Sequence, residues 1–215
     1  IEICEDLWSP LPASTQLAIQ GAEIIFNLSS SNCVTGKHVF RQRMITQQSA
    51  RVHCGYVYTS SGIGESTTDI VFSGSTYIAE NGEMLKIGER FQMGSSMIIS
   101  EIDVERLRID RQRNTNFTHD KHGQYRHINV APLELGLEDT RDTSYNLELR
   151  GDGPLHRHFT KTPFLPKKKE SDAYWEDVLN LQVHGLLRRW EHTKAESLVV
   201  GISGGVGEVV GILIL

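Results

Sequence analysis

The sequence predicts a layered α/β domain, a connector and the start of a second domain. From residue 1 to about residue 103, short β-rich runs alternate with helical stretches, the pattern of helices packed on a sheet. The chain then becomes rich in Arg, His, Asn and Asp and poor in apolar clusters, which is typical of a connector. A helical period returns near residue 171. We therefore place the three parts at residues 1–110, 111–169 and 170–215.

The elements of the first domain follow from the spacing of its apolar residues and from its turn residues. Gly21 marks the end of the first helix, and Phe40 and Met44 share one side of the second. Asn81-Gly82 predicts a tight hairpin turn. The predicted helices cover residues 13–20 and 37–52, and the predicted strands cover residues 1–4, 23–28, 54–60, 69–79, 84–87 and 96–102.

The second domain is expected to open with a helix introduced by Ser171 and Asp172. Its large apolar residues recur at helical spacing, so we expect one side of this helix to pack against a core. These residues are Trp175, Leu179, Leu186 and Trp190. A buried strand is predicted over residues 197–202, followed by a turn at Ser203-Gly204-Gly205.

Composition narrows the classes of function. The 215 residues carry 22 Lys and Arg against 27 Asp and Glu, a net charge of -5 that offers no attraction to nucleic acid. No apolar run approaches the ~20 residues needed to cross a bilayer. We therefore expect small-molecule ligands and no membrane span. The apolar, uncapped first and last residues lead us to expect that both termini are interior to a longer protein.

The cysteines indicate a reducing compartment. Cys4, Cys33 and Cys54 form neither an even disulfide framework nor a CxxC metal pair, and no secretory signal pattern is present. We therefore predict a cytoplasmic protein.

Cys4 is the first candidate for chemistry, because it ends a strand and strand ends are where reactive groups emerge in α/β folds. A thiol attacks as its thiolate, so it needs a base or cation that other parts of the fold supply. The alternative is a buried cysteine that acts as a small apolar residue.

Four segments resemble, in this order, the glutaminase domain of glutamine-dependent NAD+ synthetases, which belongs to the nitrilase superfamily. These segments are Ile3-Cys4-Glu5-Asp6-Leu7-Trp8, Asn27-Leu28-Ser29-Ser30-Ser31, Gly64-Glu65-Ser66-Thr67-Thr68-Asp69 and Glu80-Asn81-Gly82. The resemblance implies part of a nitrilase-like αββα sandwich and a homo-oligomer. It also implies that Cys4 attacks the side-chain amide of glutamine, with a general-base Glu and a Lys lying upstream of Ile1, so that this chain alone is inactive.

The resemblance also suggests residues that bind glutamine. Ser31 and Lys37 would offer a hydroxyl and a cation to its α-ammonium and α-carboxylate groups. Glu5 would contribute to substrate recognition or hold the end of the strand. Without the resemblance, Ser31 would be read as an exposed hydroxyl and Lys37 as a solvated cation.

A glycine turn suggests a second site. Gly201-Ile202-Ser203-Gly204-Gly205 could present backbone N–H groups to phosphate. Two preceding segments, residues 162–166 and 181–186, resemble the lead-in to the synthetase domain of the same family, which implies a Rossmann-like PP-loop fold that binds ATP and Mg2+. The implied loop continues through Val206, Gly207 and Glu208.

The loop departs from the family pattern SGGxDS, because Gly207 and Glu208 stand where Asp and Ser are expected. The carboxylate linked to Mg2+ and a hydroxyl that faces phosphate are therefore missing from their usual places. Either the synthetase function is impaired, or the last residues are altered.

The remaining polar clusters receive no catalytic assignment. Five histidines lie in the connector without an accompanying cysteine, so we predict solvated or locally hydrogen-bonded roles and no metal site. They are His119, His122, His127, His156 and His158.

The leading functional hypothesis is glutamine hydrolysis that supplies ammonia for the ATP-dependent amidation of nicotinic acid adenine dinucleotide. One alternative is a stand-alone nitrilase-type amidase or carbamoylase. Another is a non-catalytic remnant that acts as an assembly interface.

Overall fold

The computed structural model describes residues 1–65, 69–118, 128, 155–162, 165, 171–199 and 201. The chain divides into two compact units, Ile1–His158 and Phe159–Leu215. Most of the predicted connector, residues 111–169, lies outside the described residues, so its boundaries stay a prediction.

The first unit is built on a five-stranded mixed sheet. Its strands are β1 (Glu2–Ile3), β2 (Ile24–Ser29), β3 (Gly55–Ser60), β4 (Thr76–Glu80) and β5 (Glu83–Ile87), hydrogen-bonded in that order. The first three strands are parallel, and β4 and β5 extend the sheet in antiparallel fashion. The α/β prediction is confirmed.

The described residues of this unit include three α-helices. The helices α1 (Ala13–Ile19) and α2 (Lys37–Arg51) end within one residue of the predicted bounds. The helix α3 (Val104–Arg113) was not predicted, because Leu107 is its only buried residue and gives a weak apolar period. Its N-terminus is capped by the Asp103 side chain, which accepts a hydrogen bond from the Arg106 N–H.

The core lies between one face of the sheet and the helices. Its apolar members include Ile25, Ile45, Tyr56 and Tyr77, each fully buried. Neither Phe40 nor Met44 belongs to the buried stripe of α2, which instead contains two polar residues and an arginine. This stripe consists of Arg41, Ile45, Gln48 and Ser49. The core-facing side of α2 is therefore mostly polar, which an apolar period cannot reveal.

The opposite face of the sheet is partly open. Ile3, Phe26 and Leu28 lie on this face and are each about half exposed. Farther along the face, a Cβ placed on Gly55 would lie 2.8 Å from the Ile102 side chain, so Ile102 fills the space that the glycine leaves.

In the first unit, one strand prediction is wrong and another is wrong in part. Residues 96–102 form no strand. Ile102 packs over the sheet face at Gly55, and the segment does not pair with an edge strand of the sheet. Residues 69–75, predicted as the first part of a hairpin strand, are irregular, and pairing begins at Thr76. The predicted turn is confirmed: Asn81 and Gly82 both have positive φ, 45° and 89°, as a tight hairpin requires.

The second unit contains the long helix α4 (Ser171–Thr193), which confirms the predicted helix. The expected packing of its apolar side is wrong for the described residues: α4 has no buried residue, and Trp175 and Leu179 are about half exposed. Residues 197–199 form no strand, and Val199 is 94% exposed. A pattern defines a side that can be buried, but burial also needs a covering element. Among the described helices, none has both the length and the apolar character needed to span a membrane.

Candidate active site

Cys4 sits at the point where β1 ends and a short 3-10 turn, Cys4–Trp8, begins. Its φ angle is +42°, a conformation that costs a non-glycine residue about 1–3 kcal/mol and is concentrated at functional sites. The turn is fixed by a 2.7 Å hydrogen bond from the Ile3 N–H to Asp6 Oδ2 and by burial of Leu7 in the core. The half-buried thiol is thus held at the end of the strand.

A pocket of about 410 Å³ opens beside the Cys4 thiol. It forms because β1 and β2 are parallel neighbours, so the residues that follow both strands meet at one edge of the sheet. The start of α2 and the irregular segment before β4 complete the walls. The lining residues are Cys4, Glu5, Trp8, Ser30, Ser31, Asn32, Lys37, Ile70 and Phe72.

All four residues predicted to act on glutamine therefore line one pocket. Cys4 and Glu5 follow β1, Ser31 follows β2, and Lys37 begins α2. The structure shows their shared position, and their individual roles stay predictions.

Lys37 is fixed in the pocket wall by two contacts. Its Nζ donates a 2.8 Å hydrogen bond to Asn32 Oδ1 and lies 5.2 Å from the centre of the Trp8 ring. The Trp8 ring in turn stacks on Phe40 with a centroid distance of 5.9 Å. Because neither Asn32 nor Trp8 carries a charge, the ammonium group remains uncompensated by these contacts and can attract an anion.

Ser31 is buried, with 7% of its surface exposed. Its N–H donates to Ser60 Oγ at 3.4 Å, and its own Oγ accepts a 3.1 Å hydrogen bond from Arg41 Nη2. The Ser31 hydroxyl is therefore held by Arg41, which does not itself line the pocket.

The thiols of Cys4 and Cys54 lie in different surroundings, since Cys4 is half-buried beside the pocket and Cys54 is buried. Among the residues that the structure describes, none forms a hydrogen bond with the Cys4 thiol, so the Glu and Lys expected upstream stay a prediction. Cys54 provides the contrast, since burial, with a smaller contribution from Glu2, raises the pKa of its thiol to about 12. A thiol in that environment is inert near neutral pH.

Sequence reasoning missed several residues of this site. Trp8, Ser30 and Asn32 lie within or next to the segments that resemble the family, but no role was predicted for them. Ile70 and Phe72 lie in a stretch that was predicted as a strand. Arg41 was missed altogether. Its position one helical turn after Lys37 was the available signal, because residues at i and i+4 share a helix face.

The other predicted sites lie largely outside the described residues. Of the predicted ATP loop, the structure describes Gly201, which is exposed and lies in no strand. The other predicted residues of the loop are outside the described residues: Ile202, Ser203, Gly204, Gly205, Val206, Gly207 and Glu208. His119, His122 and His127 lie outside as well, as do residues 66–68 of the third segment. His156 Nδ1 lies 2.9 Å from Glu101 Oε1, which is the local hydrogen bonding expected of it.

The last of the four segments has a structural role. The carboxylate of Glu80 is buried and accepts two hydrogen bonds from Arg157, at 2.7 and 2.8 Å, and one from the Asp103 N–H. Asn81 bonds to His53 and Asp110. This segment fixes the hairpin and the region around α3, and it lies apart from the pocket lining.

The sequence is similar to those of known proteins. Over 210 residues, 96% of this chain, it is 35% identical to the glutamine-dependent NAD(+) synthetases of Mycobacterium bovis and Mycobacterium tuberculosis. It is 30% identical over 112 residues, 51% of this chain and 19% of the relative, to the glutamine-dependent NAD(+) synthetase of Thermotoga maritima. The chain spans only 29% of the length of the mycobacterial relatives.

No family model matches the chain. Among solved structures, the glutamine-dependent NAD+ synthetase of Acinetobacter baumannii in complex with adenosine diphosphate is 27% identical, with a TM-score of 0.39. That similarity covers 42% of this chain and 17% of the solved one. Because the sequence identity to the mycobacterial enzymes extends over nearly the whole chain, the chain aligns along its length with one segment of the glutamine-dependent NAD(+) synthetases.

Proposed function

We propose that this chain carries the nucleophile and part of the glutamine pocket of a glutamine-dependent NAD+ synthetase. The observation that carries the proposal is the pocket beside Cys4, in which Ser31 and Lys37 line the same cavity as the thiol. Cavities of this size, with a few convergent polar groups, are typical small-molecule sites. The sequence identity to whole synthetases supports glutamine as the substrate of this pocket.

The proposed reaction has two steps. The Cys4 sulfur attacks the carbon of the glutamine side-chain amide, the C–N bond breaks, and ammonia leaves with the proton that the thiol gave up. Water then attacks the resulting thioester, which releases glutamate and returns the proton to the sulfur. Lys37 and Ser31 would hold the α-substituents of glutamine so that its amide reaches Cys4.

The rest of the proposal depends on parts of the enzyme that the structure does not describe. The base that takes the thiol proton and the lysine that stabilises the oxyanion are expected upstream of Ile1. The ammonia would amidate nicotinic acid adenine dinucleotide at an ATP- and Mg2+-dependent site, to which the loop at Gly201 would contribute. The homo-oligomer and the cytoplasmic location likewise remain predictions.

The match with the relatives favours this function over a stand-alone amidase. It covers 96% of the chain and so includes most of the second unit, beyond the thiol-bearing unit. A stand-alone amidase or carbamoylase would need no such second part. A non-catalytic remnant would have no need of the strained, pocket-facing position of Cys4.

The test is the substitution Cys4→Ala in the full-length protein. We expect glutamine-driven NAD+ synthesis to fall by at least about a thousandfold, because the covalent step is lost, while synthesis from added ammonia changes little. Both rates would be measured by the NAD+ formed.

Cys33→Ala is the matched control, because Cys33 is also half-buried and lies next to Asn32 without lining the pocket. This variant should keep both activities. Equal loss of glutamine- and ammonia-driven synthesis in Cys4→Ala, or retention of both, would count decisively against the assignment.

A further inference from the structure

Arg41 is a buried cation directly behind the pocket. It lies on α2, one turn after Lys37, and only 2% of its surface is exposed. Its Nη2 donates to Ser31 Oγ at 3.1 Å and its Nη1 donates to Ser75 Oγ at 3.2 Å. The guanidinium carbon lies 5.3 Å from the centre of the Tyr58 ring.

The charge of Arg41 is not balanced by any carboxylate in the described part of the chain. Neither of its two hydrogen-bonded partners is charged, and its Nε–H has no hydrogen-bond partner there. A guanidinium remains protonated at all relevant pH values, so it cannot neutralise itself when buried. Burial of an unpaired charge is costly, and Arg41 is therefore a poor choice if its role were only to fill the core.

Ser31 connects this charge to the pocket. A hydroxyl has one donor hydrogen and two acceptor lone pairs, and Arg41 occupies one of the lone pairs. The donor hydrogen of Ser31 is therefore available for a group in the pocket. Ser31 and Lys37 both belong to the wall of this pocket, so the wall offers two donors, one of them cationic, with a second positive charge, Arg41, behind it.

We infer that Arg41 is a positioning residue for substrate selection: it orients Ser31 as a donor and adds a buried positive charge that favours a substrate carboxylate at this wall. The inference rests on the proposed function and makes it more specific, because it assigns Ser31 to the α-carboxylate of glutamine rather than to the α-ammonium. A ligand with a neutral group at that position would lose the benefit of Arg41.

The inference is tested by binding measurements on the full-length protein that carries Cys4→Ala, so that no turnover occurs. Isothermal titration calorimetry would give Kd for L-glutamine and for L-glutaminamide, whose α-carboxylate is replaced by a neutral amide. With Arg41 intact, glutamine should bind at least about tenfold more tightly than glutaminamide, as expected for the attraction between opposite charges in a partly desolvated site.

Adding Arg41→Met should weaken glutamine binding by at least about tenfold and change glutaminamide binding by less than about threefold. Arg41→Lys, which keeps the charge but not the fork, should retain part of the preference for glutamine. Arg43→Met is the control, because Arg43 is exposed on the same helix, and it should leave both Kd values unchanged.

Other outcomes would overturn the inference. If Arg41→Met weakens both ligands equally, Arg41 only supports the fold, and if it weakens neither, Arg41 does not act on the pocket. Failure of the Arg41-intact protein to bind glutamine would also overturn it. Partial unfolding lowers the binding stoichiometry without changing the ratio of the Kd values, so it is recognised separately.

Failure of the proposed function is distinguished by a different measurement. In that case the protein with Cys4 intact would release no ammonia from glutamine, whatever the Kd values of the Cys4→Ala series.

Discussion

Glu2 and Arg41 are two ionisable side chains buried to the same extent, with 1% and 2% of their surfaces exposed, yet their surroundings differ. The Glu2 carboxylate accepts hydrogen bonds from the Ser14 N–H at 2.8 Å, from Asn27 Nδ2 at 3.2 Å and from the Tyr56 hydroxyl. Every one of these donors comes from the protein interior. Glu2, Ser14, Asn27 and Tyr56 thus form a closed cluster, in which the carboxylate bonds to buried donors of the core. The cluster connects β1 to α1, β2 and β3.

The surroundings of Arg41 are open by comparison. Two hydroxyls and one aromatic ring contact its guanidinium, its Nε–H has no hydrogen-bond partner among the described residues, and one of the hydroxyls lines the pocket. A buried charge can therefore serve either of two purposes. A charge whose hydrogen-bonding capacity is met by the core stabilises the fold, whereas a charge left incomplete beside a cavity is available to a ligand.

The largest effect on stability is expected at the closed cluster. Glu2→Ala would leave the Ser14 N–H, the Asn27 amide and the Tyr56 hydroxyl without their acceptor, at a cost of about 3–5 kcal/mol. Hydrogen exchange of peptides covering β2 and β3 in the full-length protein would measure the local free energy of opening.

Glu105→Ala serves as the control for this change, because Glu105 is exposed on α3. It should alter exchange in β2 and β3 by less than about 0.5 kcal/mol. Unchanged hydrogen exchange in Glu2→Ala would show that the cluster does not stabilise the sheet. Glu2 and Arg41 would then not differ in their contribution to stability.

A smaller effect is expected from alkaline pH on the same interior. Burial raises the pKa of the Cys54 thiol to about 12 from its ordinary value near 9, and burial together with the Glu2 carboxylate also raises the pKa of Tyr56. Because the folded state holds these protons more tightly than the unfolded state, the stability they contribute is full below pH 9 and is lost as the pH rises towards 12. The Cys54 share would be about 2–3 kcal/mol by pH 11.

Urea unfolding of the full-length protein at pH 8 and pH 11, followed by tryptophan fluorescence, would test this. The loss of stability between these pH values should be smaller in Cys54→Ala than in the parent protein. An identical loss in both proteins would remove the thiol from the explanation.

The smallest effect on stability is expected at Arg41 itself. Arg41→Met removes a buried charge that lacks an ionic partner among the described residues and replaces it with an apolar chain of similar length, so stability should change by no more than about 1 kcal/mol. Hydrogen exchange of peptides that cover α2 would measure it. A loss of stability as large as that of Glu2→Ala would show that Arg41, like Glu2, serves to stabilise the fold.

Much of the site could be predicted from local sequence. Cys4 was found because a thiol follows a short apolar strand, and Ser31 and Lys37 were found by resemblance to a known family. The helices α1 and α2 follow from apolar period and turn residues. The role of Arg41 could not be predicted, because it depends on contacts with Ser31, Ser75 and Tyr58, which lie 10 to 34 residues away in sequence.

Taken alone, the sequence determined the alternation of strands and helices, the tight turn at Asn81-Gly82 and the position of Cys4 at the end of a strand, because each depends on residues close together in the chain. Tertiary structure decided which polar side chains are buried and whether they are satisfied. It also decided that residues 96–102 pass over the sheet as irregular chain, although their apolar residues suit a strand. Burial and pairing are properties of contacts between distant segments, and a local pattern permits such contacts without specifying them.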